Sequence, residues 1–237
     1  MQTSPNPDTP GSAVRIRKAA SVLLLRQAGA GFEVFVQHRV NTMDFAAGMV
    51  VYPGGRVDPQ DAQTVSRGEI PAQLMAAHAQ RWAGCSVAEA DAEAQRKENA
   101  GIVLAAARRE VFEETGLLLD AQQLLPWANW VTPAGFPRRF DTYFFVAALR
   151  EGQEPVHQTT EAVVSRWVAP QALFASLERG EIKMMRPTQR TLLDAMALGG
   201  IEQITAAQHE ILSVHPDGTD TSSASPVRDS ELRPRNF

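Results

Sequence analysis

The chain reads as an α/β protein, an α/β/α sandwich built on a mixed sheet, and three observations predict it. Strand-like and helix-like stretches interleave along the sequence instead of segregating into halves. One strand pair is joined by the short loop Gln27-Ala28-Gly29-Ala30-Gly31, so the sheet holds at least one antiparallel hairpin. Hydrophobic residues make up 44% and charged residues 21% of 237 residues, an ordinary balance for a globular chain with a real core. The mixed order favours this sandwich over a doubly wound nucleotide fold.

Residues 1–12 carry Pro5, Pro7 and Pro10 and no apolar run, so they predict a disordered lead and not a signal peptide. Ala19 to Leu25 reads as a buried strand, and Phe32 to Arg39 alternates as its partner. His38, beside Arg39, is expected to face outward on that strand. Met49 to Tyr52 predicts a short strand, broken by a bend at Pro53-Gly54-Gly55. Asp58-Pro59-Gln60-Asp61 reads as a turn.

Residues 62–99 are rich in Ala, Glu and Gln, with helices expected over Ile70–Trp82 and Val87–Ala100. The second either continues into the following helix or breaks at Gly101. Strands are predicted over Trp127–Val131, Phe140–Leu149 and Val163–Val168, and helices over Pro170–Arg179 and Pro187–Leu198. Residues 201–214 are expected to pack as a short extra element. Proline, serine, threonine and aspartate dominate 215–237, which predicts a disordered tail and leaves one domain over 13–214.

The formal net charge is −4 and no basic stripe stands out, which argues against a nucleic-acid partner. No apolar run reaches the ~20 residues that span a bilayer, so no membrane partner is expected. Cys85 is the only cysteine; an intrachain disulfide is impossible, and a cytoplasmic location is the expectation. An inert thiol is expected there, because reactivity needs an electropositive setting.

The stretch that organises the chain is Arg109-Glu110-Val111-Phe112-Glu113-Glu114-Thr115-Gly116-Leu117. An alanine-rich run precedes it, and Gly116 is a natural left-handed stop. Glu110, Glu113 and Glu114 therefore fall on one arc of a last helical turn, while Val111 and Phe112 point elsewhere and are expected to pack. Like charges at that spacing cost roughly 0.2–0.5 kcal/mol, and acids at the negative helix end about 0.3–1 kcal/mol. Two readings stay open on the residues alone. One is a solvated acidic face with an Arg109–Glu113 pair; the other is a site for a hard divalent cation, Mg²⁺ or Mn²⁺.

Gly55, five residues, Asp61, and then Arg109 to Leu117 resembles the Nudix box. The second half matches at every specified position. The first half has Asp61 where that signature has Glu, and 47 residues instead of seven separate it from Arg109. The resemblance implies a Nudix-type sandwich with a helical insertion, residues 62–99, inside the box. Tyr52-Pro53-Gly54-Gly55, the long insert, Pro137 to Thr142, Arg166 to Pro170 and Arg186-Pro187-Thr188 are similar to the peroxisomal coenzyme A diphosphatase branch.

Carried over, the resemblance implies metal-dependent hydrolysis of a nucleoside diphosphate linked to another group, with coenzyme A or acyl-CoA as the favoured small-molecule substrate. Glu110, Glu113 and Glu114 would hold Mg²⁺ or Mn²⁺, and Glu110 would also orient or deprotonate a bound water. A main-chain carbonyl of Gly54 or Gly55 would add a ligand, and Glu161, with Glu154 next, would supply a later carboxylate. Arg109 would fix Asp61 or a helix glutamate. Arg56, Arg138 and Arg139 are candidates to read phosphates. The insertion is expected to cap the pocket or form a homodimer contact. Two further readings accompany this one: a hydrolase of ADP-ribose, NADH or damaged nucleotides, and a non-catalytic module that senses a nucleotide.

Overall fold

The computed structural model describes residues 14–40, 48–158 and 160–216. The expected lead at 1–12, and all but the first two residues of the expected tail, lie outside them. Sixteen to 28 form the long first strand β1 (Ile16–Ala28), which turns back into β2 (Gly31–Arg39). Their side chains alternate between two cores, as the period of two requires. Ala20, Val22 and Leu24 enter one; Leu23 and Leu25 enter the other.

Beyond Val34 the hairpin splays. β2 takes β3 (Val50–Val51) as its antiparallel neighbour, and β1 takes β4 (Gly54–Arg56). The expected glycine bend is therefore itself a strand, with Gly54 opposite Ser21 and Gly55 opposite Ala20. Crowding explains why: a Cβ on Gly54 would strike the carbonyl oxygen of Ala20, so only a glycine lets the strands close.

Asp58 to Asp61 is a helix start instead of a free turn. Helix α1 (Pro59–Ser66) has Asp58 as its N-cap, Pro59 in its first turn and Asp61 returning a bond to the Asp58 N–H at 2.7 Å. That is a capping box with an aspartate at its third position. Helix α2 (Ala72–Arg81) follows. The helix expected over Val87–Ala100 is interrupted: Ser86–Ala88 is a 3₁₀ turn, and the long helix α3 (Glu93–Thr115) starts only at Glu93. Gly101 does not break α3. It brings Met75 of α2 against the α3 backbone, where a Cβ would collide with the thioether.

The rest of the sheet comes from β5 (Leu125–Val131), β6 (Arg139–Ala148), β7 (Ala162–Val168) and the short β8 (Ser213–Val214). The order is β3-β2-β1-β6-β5-β8, with β4 on β1 and β7 on β2. β1 and β6 run parallel, as do β5 and β8, while the other pairs are antiparallel. Helices α4 (Pro170–Glu178), α5 (Arg186–Leu198) and α6 (Ile201–Ala206) contribute Leu173, Phe174, Leu192, Ala195 and Ile204 to the second core. The extra element expected over 201–214 is thus a helical turn plus an edge strand.

Helices α1, α2 and α3 cover the opposite face. The insertion at 62–99, expected to cap the pocket or form a homodimer contact, packs into this layer, with Val65, Ile70, Trp82, Cys85 and Val87 buried beside α3. Three aromatic rings lock it down, Trp82 standing edge-on to Tyr143 and Phe145 at centroid distances of 5.0 and 5.5 Å. Burial pushes the Cys85 thiol up to about 12, so it is protonated and inert.

Candidate active site

The site lies where the last turns of α3 meet β4. Along α3 the buried stripe runs through Val103, Leu104, Ala107, Val111 and Glu114, at helical three- and four-residue steps. Val111 packs as expected. Phe112 does not: one step off that stripe, it faces solvent and is 49% exposed. Gly116 closes the helix in the left-handed region, φ 69°, with its N–H on the Phe112 carbonyl at 2.8 Å.

Arg109 is the hub. Its Nε and Nη2 hold the two Asp61 oxygens at 2.8 and 3.0 Å, and Nη2 also reaches the Arg56 carbonyl at 2.8 Å. Nη1 donates to Glu110 at 2.8 Å and to Glu113 at 3.1 Å. Asp61, 1% exposed, is fixed by this fork and by the Asp58 N–H. Burial works against the Arg109 charge, but Asp61 and Glu110 more than offset it and keep the guanidinium protonated. The shorter aspartate reaches Arg109 from the third position of the α1 capping box.

The three glutamates are not equivalent. The Glu110 carboxylate occupies the space over Gly55, where a Cβ would come within 2.5 Å of it. Gly55 is therefore a glycine because an acid sits above it. Glu114 is 7% exposed and accepts the Gly54 N–H at 3.0 Å. Burial pushes its carboxyl up to about 8; the Gly54 bond and Arg39 pull the other way, while Glu110 and Glu161 push further. Burial also raises Glu110, against the pull of Arg109. Glu113 has a half-exposed side chain turned toward solvent and Arg109.

Glu110 and Glu114 thus present hard oxygen donors to the double glycine, in a setting where burial penalises their negative charge and a dication would relieve it. That donor chemistry fits Mg²⁺ or Mn²⁺. Among the described residues no three His, Cys, Asp or Glu side chains are gathered into a metal cage. Glu161 lies on the same side, within electrostatic reach of Glu114, and pairs with Arg39 Nη2 at 2.7 Å. Glu154 sits instead by Arg26 at 3.6 Å.

The cations expected to read phosphates lie on two strands, Arg56 beside Gly55 on β4 and Arg139, preceded by Arg138, at the start of β6. Arg56 gives its carbonyl to Arg109 and leaves its side chain exposed. Arg139 uses its Nε on the Thr132 carbonyl at 3.0 Å, and Arg138 is exposed. The residue that sequence reasoning passed over is Arg39. Its parity on β2 is that of Phe35, which enters the α3-side core, so its side chain faces inward and is only 15% exposed. His38 takes the other face, receives Arg166 Nη2 at 3.3 Å, and has its basicity lowered by burial and then by that guanidinium.

A protein-family model described as the NUDIX domain matches residues 97–195. Among solved structures, a NUDIX hydrolase from Alicyclobacillus acidocaldarius shares 26% identity at a TM-score of 0.64, covering 86% of this chain and 100% of that one. The NUDIX domain of Shewanella oneidensis NrtR, complexed with ADP ribose, is 11% identical at a TM-score of 0.48, covering 81% and 93%. The family match starts inside α3, leaving Gly55 and Asp61 outside it, whereas the first likeness covers 86% of this chain. On those two findings this chain carries a Nudix domain and is an enzyme of the Nudix hydrolase kind.

Proposed function

We propose that this enzyme hydrolyses the diphosphate bond of a nucleoside diphosphate linked to a further group, and that coenzyme A or an acyl-CoA is its substrate class. One observation carries the proposal. Two pieces of sequence 48 residues apart are brought into one constellation, with Arg109 forked onto Asp61 and Glu110 seated over Gly55. The flanks Tyr52 to Gly55, Pro137 to Thr142 and Arg166 to Pro170 support the coenzyme A assignment by resemblance.

Nudix hydrolases generally use divalent metal ions, which neutralise the diphosphate and lower the pKa of bound water. Glu110 and Glu114 would hold such an ion here, with Glu113 joining once it leaves Arg109 and Glu161 closing the far side. Glu110, whose carboxylate fills the space over Gly55, would orient the attacking water or take its proton. Arg109 fixes the Glu110 rotamer and grips the Asp61 carboxyl beneath it, so the Glu110 carboxylate is pre-positioned rather than free to sample rotamers. The Gly54 N–H does the same for Glu114.

The test is a turnover panel of coenzyme A, acyl-CoA, ADP-ribose, NADH and nucleoside triphosphates, run with Mg²⁺ and with Mn²⁺. Cleavage of coenzyme A in H₂¹⁸O should place one heavy oxygen in a phosphate of one product, read by mass spectrometry. Preferred turnover of ADP-ribose or NADH would move the substrate assignment to that class. Silence across the whole panel would defeat the catalytic reading of this site.

A further inference from the structure

Arg109 is anchored twice on one short stretch of chain, at the Arg56 carbonyl at 2.8 Å and at the two Asp61 oxygens at 2.8 and 3.0 Å. Between those anchors the chain leaves β4 and enters α1, and Asp58 governs the turn. Its side chain accepts from the Gln60 N–H at 3.3 Å and from the Asp61 N–H. Its own N–H donates to Asp61 Oδ2 at 2.7 Å. That oxygen also receives Arg109 Nη2, so the helix cap and the guanidinium meet on one atom.

What the cap controls is aim. Nη1 of the same guanidinium donates to Glu110 Oε1 at 2.8 Å, and the Glu110 carboxylate takes no other hydrogen bond among the described residues. A guanidinium is a rigid planar fork, so a tilt at its Nε–Nη2 edge is carried directly to Nη1. The start of α1 is thus linked to the carboxylate over Gly55 through two side chains, Asp61 and Arg109. An aspartate has one methylene less slack than a glutamate, which makes the placement of its backbone decisive here.

We propose that Asp58 is a positioning residue of the catalytic centre: by capping α1 it fixes Asp61, Asp61 aims Arg109, and Arg109 holds the Glu110 carboxylate. The inference rests on the diphosphatase reading for the role of Glu110. Asp58 is exposed and touches none of the reacting groups; its share is the backbone geometry at the start of α1. A second capping box in the molecule supplies the contrast. Asp120 accepts from the Gln122 N–H at 3.1 Å, and Gln123 accepts from the Asp120 N–H at 3.3 Å. That box has the same pattern, yet neither residue bonds to Arg109 or to the three glutamates of α3.

Asp58→Ala removes the cap, Asp58→Asn keeps it without the charge, and Asp120→Ala removes the remote cap as a control. For whichever panel substrate is turned over, kcat of Asp58→Ala should fall about tenfold while KM stays within about twofold. Calorimetric titration of the full chain with Mg²⁺ alone should show affinity falling by a similar factor. Asp58→Asn should restore both to within about twofold of wild type. Asp120→Ala should melt lower but keep wild-type kcat and Mg²⁺ affinity. If Asp58→Ala does not fold, Asp58→Gly drops the side-chain acceptor at a smaller cost to the helix and is read in its place. Wild-type kcat and Mg²⁺ affinity without the cap overturn the inference and leave hydrolysis standing. So does an Asp58→Asn as impaired as Asp58→Ala, a loss carried by KM, or an equal loss in Asp120→Ala. A wild type that cleaves nothing, yet binds Mg²⁺ with this same dependence on Asp58, would sink the enzymatic assignment and keep the positioning chain. A wild type that neither cleaves nor binds Mg²⁺ overturns both.

Discussion

The two faces of the sheet handle buried polarity in opposite ways. On the side of α4, α5 and α6, Tyr52 donates to the Thr188 carbonyl at 2.8 Å and Trp127 Nε1 to the Thr191 carbonyl at 3.1 Å. Thr191 in turn bonds back to the Pro187 carbonyl at 2.8 Å. On the side of α3, Gln37, Arg39, His78, Trp82 and Trp167 all carry a buried nitrogen without a partner among the described residues, and Glu114 is buried with its charge penalised. One face is finished by folding alone. The other keeps buried donors and a buried acid that no protein group among the described residues satisfies, and that is the face on which the Nudix helix lies.

The sharpest way to break this contrast is Glu114→Gln. The amide oxygen still accepts from Gly54, so the fold should be unharmed, yet turnover should drop on the order of a hundredfold or more because the negative charge is gone. Steady-state kinetics beside a thermal melt check both halves. A variant with wild-type turnover would remove Glu114 from the chemistry and make the α3 face merely a badly satisfied core.

A smaller effect follows from titration. Glu114 has its ordinary value of 4.5 in the unfolded chain and about 8 in the fold. Between those values the native state holds a proton that the unfolded state has released, so the contribution is complete below about 4.5 and lost as pH rises through about 8. Melts in a chelator should therefore show stability declining over that window. Mg²⁺, which binds the ionised form, should flatten the decline, and so should Glu114→Gln. A chelated wild type whose stability climbs from pH 5 to 8 would contradict the burial argument.

The smallest effect compares two tryptophans directly. Trp127→Phe breaks a made hydrogen bond to the Thr191 carbonyl, whereas Trp82→Phe loses a donor that had no partner among the described residues. Both lose similar volume. In urea titrations Trp127→Phe should be the more destabilising of the two by about 1 kcal/mol; equal losses would erase the distinction between the faces.

Much of this architecture was legible because hydrophobic period and glycine or proline punctuation survive in the sequence. β1, β2, β6 and β7, and the helices after Pro170 and Pro187, all appear where their patterns place them. The acidic helix with its Gly116 stop was equally readable. What was hidden depends on contacts distant in sequence. Gly54 and Gly55 look like a bend until Ala20 and the Glu110 carboxylate are seen to occupy the space of their missing side chains. Asp58 to Asp61 looks like a turn unless the aspartate at the third position is credited with capping strength. Phe112 was misjudged because hydrophobicity was taken for burial one residue away from the stripe. Arg39 was overlooked, though its parity with Phe35 already aimed it inward.

The distance along the chain between Asp61 and Arg109 has a kinetic corollary. Their pairing spans 48 positions and closes over the whole α1–α2 segment, so it cannot nucleate locally and must wait until that segment has docked. During refolding, helix content should return early while the ability to process substrate lags, recovered only with the last packing of Trp82 against Tyr143 and Phe145. A nascent or half-collapsed chain is thereby incapable of attacking nucleotides before its assembly is complete.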